Sequence, residues 1–241
     1  TGALLALGDL LEREGNLEGA LAAYDRALSI HAAEATAAEP RGPGSLGGAA
    51  AKVAKGRVLA DLGKVAEGER WVREALAVRK SALGPDHPLV AAALDDLGWI
   101  LIAEGDYGGA EEALTRELDI AEHTFGPSDL RTAKPLSSLG TLRRRQGKYA
   151  EAETLVRRMI SILEAAGDRP LGAAKGLHSL ASILKNSGDL DGALESETRA
   201  LAISQEQLGP DHPALALVTG NLGQIQLWRG EYAESELLYR R

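Results

Sequence analysis

The 241-residue sequence has no cysteine, which removes disulfides, thiolate metal sites and cysteine nucleophiles together and suits a reducing compartment. Aromatic residues number nine and Val plus Ile 17, against 41 Ala and 39 Leu. Small and straight-chain side chains favour helices, whereas β-branched and aromatic ones favour strands, so an all-β fold is excluded. No apolar stretch approaches the roughly 18–20 residues needed to span a bilayer, and the opening TGALLALGDLLEREG lacks the basic start and cleavage site of a secretory signal. The chain reads as a cytoplasmic, soluble one. Basic residues are in deficit, 27 Lys and Arg against 35 Asp and Glu. The resulting net charge of -8 repels nucleic acid and anionic membranes, and only a local basic patch reverses that. The chain opens on Thr1, has its only methionine at Met159 and stops at Arg240-Arg241 within a helical pattern, so it reads as a fragment. Its Ala-, Gly- and Arg-rich composition fits a bacterial gene of high GC content.

What the sequence does contain is self-similarity. A glycine followed two residues later by Leu, Val or Tyr and five later by a small residue occurs six times, at Gly15, Gly63, Gly105, Gly147, Gly188 and Gly230. The spacings are 48, 42, 42, 41 and 42 residues. Seven residues before each stands a very small residue: Gly8, Gly56, Gly98, Gly140, Ala181 and Gly223. Two helices must approach closely there. Leu10, Val58, Ile100, Leu142, Ile183 and Ile225 before the glycines, and Leu17, Val65, Tyr107, Tyr149, Leu190 and Tyr232 after them, form apolar columns. Apolar residues at helical spacing on both sides of a glycine describe two amphipathic helices joined by a tight turn. The turn glycine fits the left-handed position that ends the first helix. LGPDHP at 83–88 and 208–213, and FGPSDL at 125–130, each supply a glycine to stop a helix, a proline that cannot continue it and an Asp or Ser to cap the next.

The small residue, turn glycine and small residue between paired helices resemble the tetratricopeptide repeat, and the 42-residue period with its LGPDHP linker resembles the variety found in kinesin light chains and bacterial signalling proteins. That resemblance implies an all-α, right-handed superhelical solenoid of stacked antiparallel helix pairs. The repeats divide the chain at 1–39, 49–84, 85–126, 127–168 and 169–209, with a truncated sixth at 210–241 and a Gly/Pro-rich linker at 40–48. Departures from the columns are Lys52, Lys55, Arg143 and Glu197, which stand where other repeats carry apolar residues and predict looser packing.

Catalytic and cofactor chemistry finds little support. Gly42 to Gly47 has the spacing of a dinucleotide loop, but no strand precedes it. His87 and His212 occupy the same linker place in different repeats, too far apart for one metal, and read as turn and capping residues. His31 and His123 stand near helix ends, where a cation complements the dipole. Asp95-Asp96 and Glu111-Glu112 read as solvated faces, because adjacent helical residues diverge. We expect no enzyme activity, cofactor or metal.

A repeat array of this kind presents an extended concave surface, which the resemblance assigns to the first helix of each repeat. On it, the places where kinesin-light-chain-like repeats carry paired asparagines hold one asparagine, Asn221, among twelve positions. The clamp for acidic chaperone tails that the resemblance implies needs Lys, Arg and Asn on these columns in three consecutive repeats, and no such set exists here. The first helices of repeats four and five instead gather Lys134, Arg144, Arg145, Lys175, His178 and Lys185, with Ser138, Thr141 and Ser182 between them. Repeat three adds Asp95 and Trp99, while Trp71 and Trp228 read as helix-packing residues. These residues predict a groove for an acidic linear segment with an aromatic or Leu anchor, on a scaffold that binds another protein or peptide, without nucleic acid or membrane. Three other readings stay open: a regulatory region of a larger signalling enzyme such as a Ser/Thr kinase or nucleotide-switch protein, a sensor of small peptide signals, and self-association through Leu237, Leu238 and Tyr239.

Overall fold

The structure, a computed structural model, describes residues 1–35, 43–167 and 170–240. These form twelve α-helices and a single 3-10 turn, with no strand among the described residues. In chain order they are α1 (Gly2–Arg13), α2 (Leu17–Ala35), α3 (Pro43–Asp61), α4 (Val65–Leu83), α5 (Pro88–Glu104), α6 (Tyr107–Phe125), the 3-10 turn (Leu130–Thr132), α7 (Ala133–Arg145), α8 (Tyr149–Ala166), α9 (Pro170–Ser187), α10 (Leu190–Leu208), α11 (Leu215–Arg229) and α12 (Tyr232–Tyr239). The chain divides into two compact bodies, Thr1–Thr124 and Phe125–Arg241. Of the 40–48 linker expected from the sequence, 40–42 lie outside the described residues. From Pro43 onward it is the start of α3, where proline's fixed φ suits a first helical turn. The Gly42–Gly47 loop is thus part helix, and its Gly42 lies outside the described residues.

Each turn glycine has the left-handed backbone its place in the repeat demands, with φ between 74° and 94°. The small-residue column is where paired helices touch. A Cβ on Gly56 would stand 2.6 Å from Val72 Cγ2, and one on Gly98 2.5 Å from Leu114 Cδ2. The residue sixteen positions later therefore fills the space that the glycine leaves. It is Tyr24, Val72, Leu114, Val156 or Tyr239, facing Gly8, Gly56, Gly98, Gly140 and Gly223. In the fifth repeat the same offset pairs Ala181 with Glu197.

Two columns expected to be core are open at their ends. Leu10 in α1 is 52 % exposed and Tyr232 in α12 is 68 % exposed, because these positions bury against a neighbouring helix pair and theirs have one on one side only. One linker histidine caps and the other holds a turn: the Leu89 N–H donates to His87 Nδ1 at the start of α5, and the Ala214 N–H donates to His212 Nδ1 in the turn before α11, each at 3.1 Å. Asp86, available for the same task, pairs with Arg116 instead. In FGPSDL the cap is Asp129, which accepts from the Arg131 backbone N–H at 2.9 Å and from its guanidinium, holding its carboxyl down at about 2.

The charged departures are paired. Lys52 meets Glu74 at 2.8 Å, Lys55 meets Asp25 at 2.6 Å with its ammonium 4.2 Å from the Trp71 ring centre, and Arg143 meets Glu151 at 3.0 Å. His31 is buried against α3, where a Cβ on Gly47 would stand 2.6 Å from its Cε1, so it packs two helices together as well as standing near a helix end.

Candidate peptide-binding face

In the first body α1, α3 and α5 lie side by side. Their polar groups are consumed by one another. The Tyr24 hydroxyl donates to Asp9 at 2.7 Å and Glu12 at 3.2 Å, and its burial, reinforced by those carboxylates, holds it well above the ordinary tyrosine range. Arg57 bonds Glu12 at 3.1 Å and faces Asp96 at 3.9 Å. Asp95 is 3 % exposed. The Asp95-Asp96 pair is thus no solvated face: Asp95 is buried and Asp96 belongs to a half-buried ionic cluster, in which Arg79, which donates to the Leu89 carbonyl at 2.7 Å, also feels Asp96. Trp99 stands exposed on α5.

The second body differs. Between α7 and α9 a cleft of about 180 Å³ is lined by Ser137, Thr141, Arg144, His178, Ser179 and Ser182, with Val156 of α8 at its floor. A second cleft of about 360 Å³, containing Lys134 and Lys175, shares Ser137 and Ser179 with it. The structure therefore brings together Lys134, Thr141, Arg144, Lys175, His178 and Ser182 as the sequence grouped them, while Arg145 is exposed beside them. Ser138 is buried, and its neighbour Ser137 lines both clefts in its place. Sequence reasoning passed over Ser137 and Ser179 as binding residues. A 100° turn per residue separates groove from core, and the repeat column allowed either choice.

Lys185 is 8 % exposed and already occupied. Its ammonium donates to Asn221 Oδ1 at 2.7 Å and to Gln224 Oε1, and lies 5.5 Å from the ring centre of Trp228. Burial holds this lysine below its ordinary pKa; Glu197 opposes the effect and Arg144 adds to it. Trp228 is 52 % exposed, so it is not a helix-packing residue: α11 turns its ring outward, where the lysine covers part of it. Asn221 Nδ2 is buried without a hydrogen-bond partner among the described residues.

Arg144, Arg145 and Lys175 form no ion pair among the described residues. The first body's face is internally neutralised; the second body's presents uncompensated cations beside four hydroxyls. Such a surface can take an anion by charge-assisted hydrogen bonds, with Arg offering a bidentate fork. No group of three His, Cys, Asp or Glu able to hold a metal occurs among the described residues, and none of their helices is long and apolar enough to cross a membrane.

Models of the tetratricopeptide repeat match residues 2–40, 49–123, 100–165 and 172–241. No curated protein sequence matches the chain. Among solved structures it is similar to BtubC (BKLC) of P. vanneervenii, with 20% identity, a TM-score of 0.78 and coverage of 93% of this chain and 89% of that one. It is also similar to the nearly identical TPR-like repeats of a kinesin-light-chain-like protein of Podosopora anserina, at 21% identity and a TM-score of 0.69, over 78% of this chain and 90% of that one. A tetratricopeptide repeat protein of Parabacteroides merdae matches at 19% identity and a TM-score of 0.64, over 98% of this chain and 75% of that one. At these identities the likeness is one of fold.

Proposed function

Since the chain belongs to the tetratricopeptide repeat family, we propose that it is a non-catalytic scaffold that binds another protein, holding an acidic linear segment of that partner along α7, α9 and α11. Arg144 carries the reading. In a chain of net charge -8, it lines a hydroxyl-rich cleft with no carboxylate partner among the described residues. Lys175 extends the positive strip along the adjoining cleft. Trp228 offers an exposed ring for an apolar anchor on the same body. Asp95 and Trp99 belong to the other body, and the reading is confined to the second.

Purified chain is titrated with peptides of alternating Asp and a single Leu or Phe, at low and high salt. Capture weakens with salt, because an exposed anion site is screened beyond about 10 Å at moderate ionic strength. The double variant Arg144→Glu/Arg145→Glu loses capture while keeping its helical circular dichroism. Equal affinity in that variant overturns the proposal. A second reading, association between copies, is favoured by exposed Leu217, Tyr232 and Leu237 on α11 and α12, and a concentration-dependent mass would reveal it.

A further inference from the structure

The fifth repeat breaks the rule that the other five keep. Where the close-approach column is faced elsewhere by Tyr24, Val72, Leu114, Val156 and Tyr239, it carries Glu197, whose side chain is 0 % exposed. A buried ionised carboxylate is costly unless a donor meets it. Glu197 Oε1 lies 2.6 Å from Nδ1 of His178 on α9, and Oε2 has no hydrogen-bond partner among the described residues. An ionised Glu197 needs a donor at Oε1, and the group placed to supply it is His178 Nδ1–H. That leaves Nε2 as the one ring nitrogen available to the cleft that His178 lines with Arg144, Ser137, Thr141, Ser179 and Ser182. In the neutral ring Nε2 is a bare acceptor, unsuited to an anion; in the protonated ring it is a charged donor.

We propose that His178 is a specificity-determining contact of this cleft and Glu197 its positioning residue: the imidazolium, held through Nδ1 by Glu197, donates Nε2–H to a carboxylate of the bound segment beside Arg144. Capture of an acidic chain is then stronger in mildly acidic than in mildly alkaline solution. This rests on the acidic-segment reading above. The charged groups around His178 are Arg144 from α7, Glu197 from α10, and Lys175 and Lys185 along α9 itself. α8 contributes Val156, and α11 reaches α9 with the neutral Asn221 and Gln224. Among these groups only an imidazole ordinarily changes charge between about pH 5 and 8.

The test is fluorescence anisotropy with a rhodamine-labelled peptide of alternating Asp around one Leu, whose carboxylates stay ionised above about pH 5. The wild-type chain is compared with His178→Gln/Glu197→Gln, which keeps a neutral hydrogen-bonding pair in place of the ionisable one. Wild-type affinity rises about tenfold from about pH 8 to about pH 5.5, and the double variant's stays flat. A wild-type profile that matches the variant's overturns the role of His178 and leaves the acidic-segment reading standing; no binding by either at any pH overturns that reading and this one with it. Nitrogen-15 spectra of the His178 imidazole in the wild-type chain give a second check that needs no variant. They show Nδ1 protonated throughout and Nε2 gaining its proton on acidification, and a neutral ring with its proton on Nε2 overturns the proposal.

Discussion

Gly56→Ala is the perturbation that most sharply separates close helix packing from mere helix propensity. The added Cβ would stand 2.6 Å from Val72 Cγ2 and 2.8 Å from the Gly68 carbonyl oxygen. Carbon atoms in contact sit about 3.5–4.0 Å apart, so the overlap is close to 1 Å. Neither neighbour can yield. Val72 is fully buried with a β-branched side chain of few rotamers, and the Gly68 carbonyl belongs to the backbone of α4. The helices must therefore part. Overpacking costs about 1–3 kcal/mol, and a contact with backbone belongs at the upper end; the gain in helix propensity returns about 1 kcal/mol. A net loss of about 1–2 kcal/mol is expected in the α3–α4 pair. Gly220→Ala in α11 is the control, since nothing lies within 4 Å of its added Cβ. There the same substitution stabilises by up to about 1 kcal/mol. Native-state hydrogen exchange reads each helix pair separately, which suits a repeat chain whose unfolding need not be one transition. Protection of α3 and α4 that is unchanged or increased in Gly56→Ala would refute the reasoning.

Three further perturbations address the polar groups. Tyr24→Phe removes hydroxyl bonds to Asp9 and Glu12 at the α1–α2 contact, and exchange there should report a loss of about 1–2 kcal/mol. His178→Ala leaves Glu197 buried without its donor and costs about 3 kcal/mol, whereas adding Glu197→Leu, an apolar residue of the column's own kind, recovers most of it; a double-mutant cycle by urea unfolding measures the difference. Lys185 binds its proton less tightly folded than unfolded, so the stability it contributes increases as pH rises from its lowered folded value toward the ordinary 10.5. Lys185→Met should flatten that alkaline rise in the urea midpoint, and an identical slope in both proteins would exclude the lysine as its source.

The pairing of helices was legible because it is written at short range: a turn glycine, a small residue seven before it and apolar columns around both. Even the residue facing the small column follows at a constant offset, which makes Glu197 conspicuous in the sequence itself. What the sequence hid was the pairing of charges across repeats. Asp96 meets an arginine 39 positions earlier, and a periodic pattern assigns both to the surface without saying that they share it. The choice of His87 over Asp86 as a helix cap hinged on Arg116, thirty positions away, taking the carboxylate. In the candidate site the basic strip was legible as composition. Its lining was not, because neighbouring serines differ by a third of a helical turn and Ser137, rather than the buried Ser138, faces the cleft.

The most direct measurement of the central claim is photo-cross-linking of an acidic peptide bearing a benzophenone next to its Leu anchor, with the adducts mapped by mass spectrometry. The account predicts salt-sensitive adducts on α7, α9 and α11, around Thr141, Ser182 and Trp228, that Arg144→Glu/Arg145→Glu abolishes. Adducts concentrated on α1 to α6, or undiminished in that variant, would contradict it.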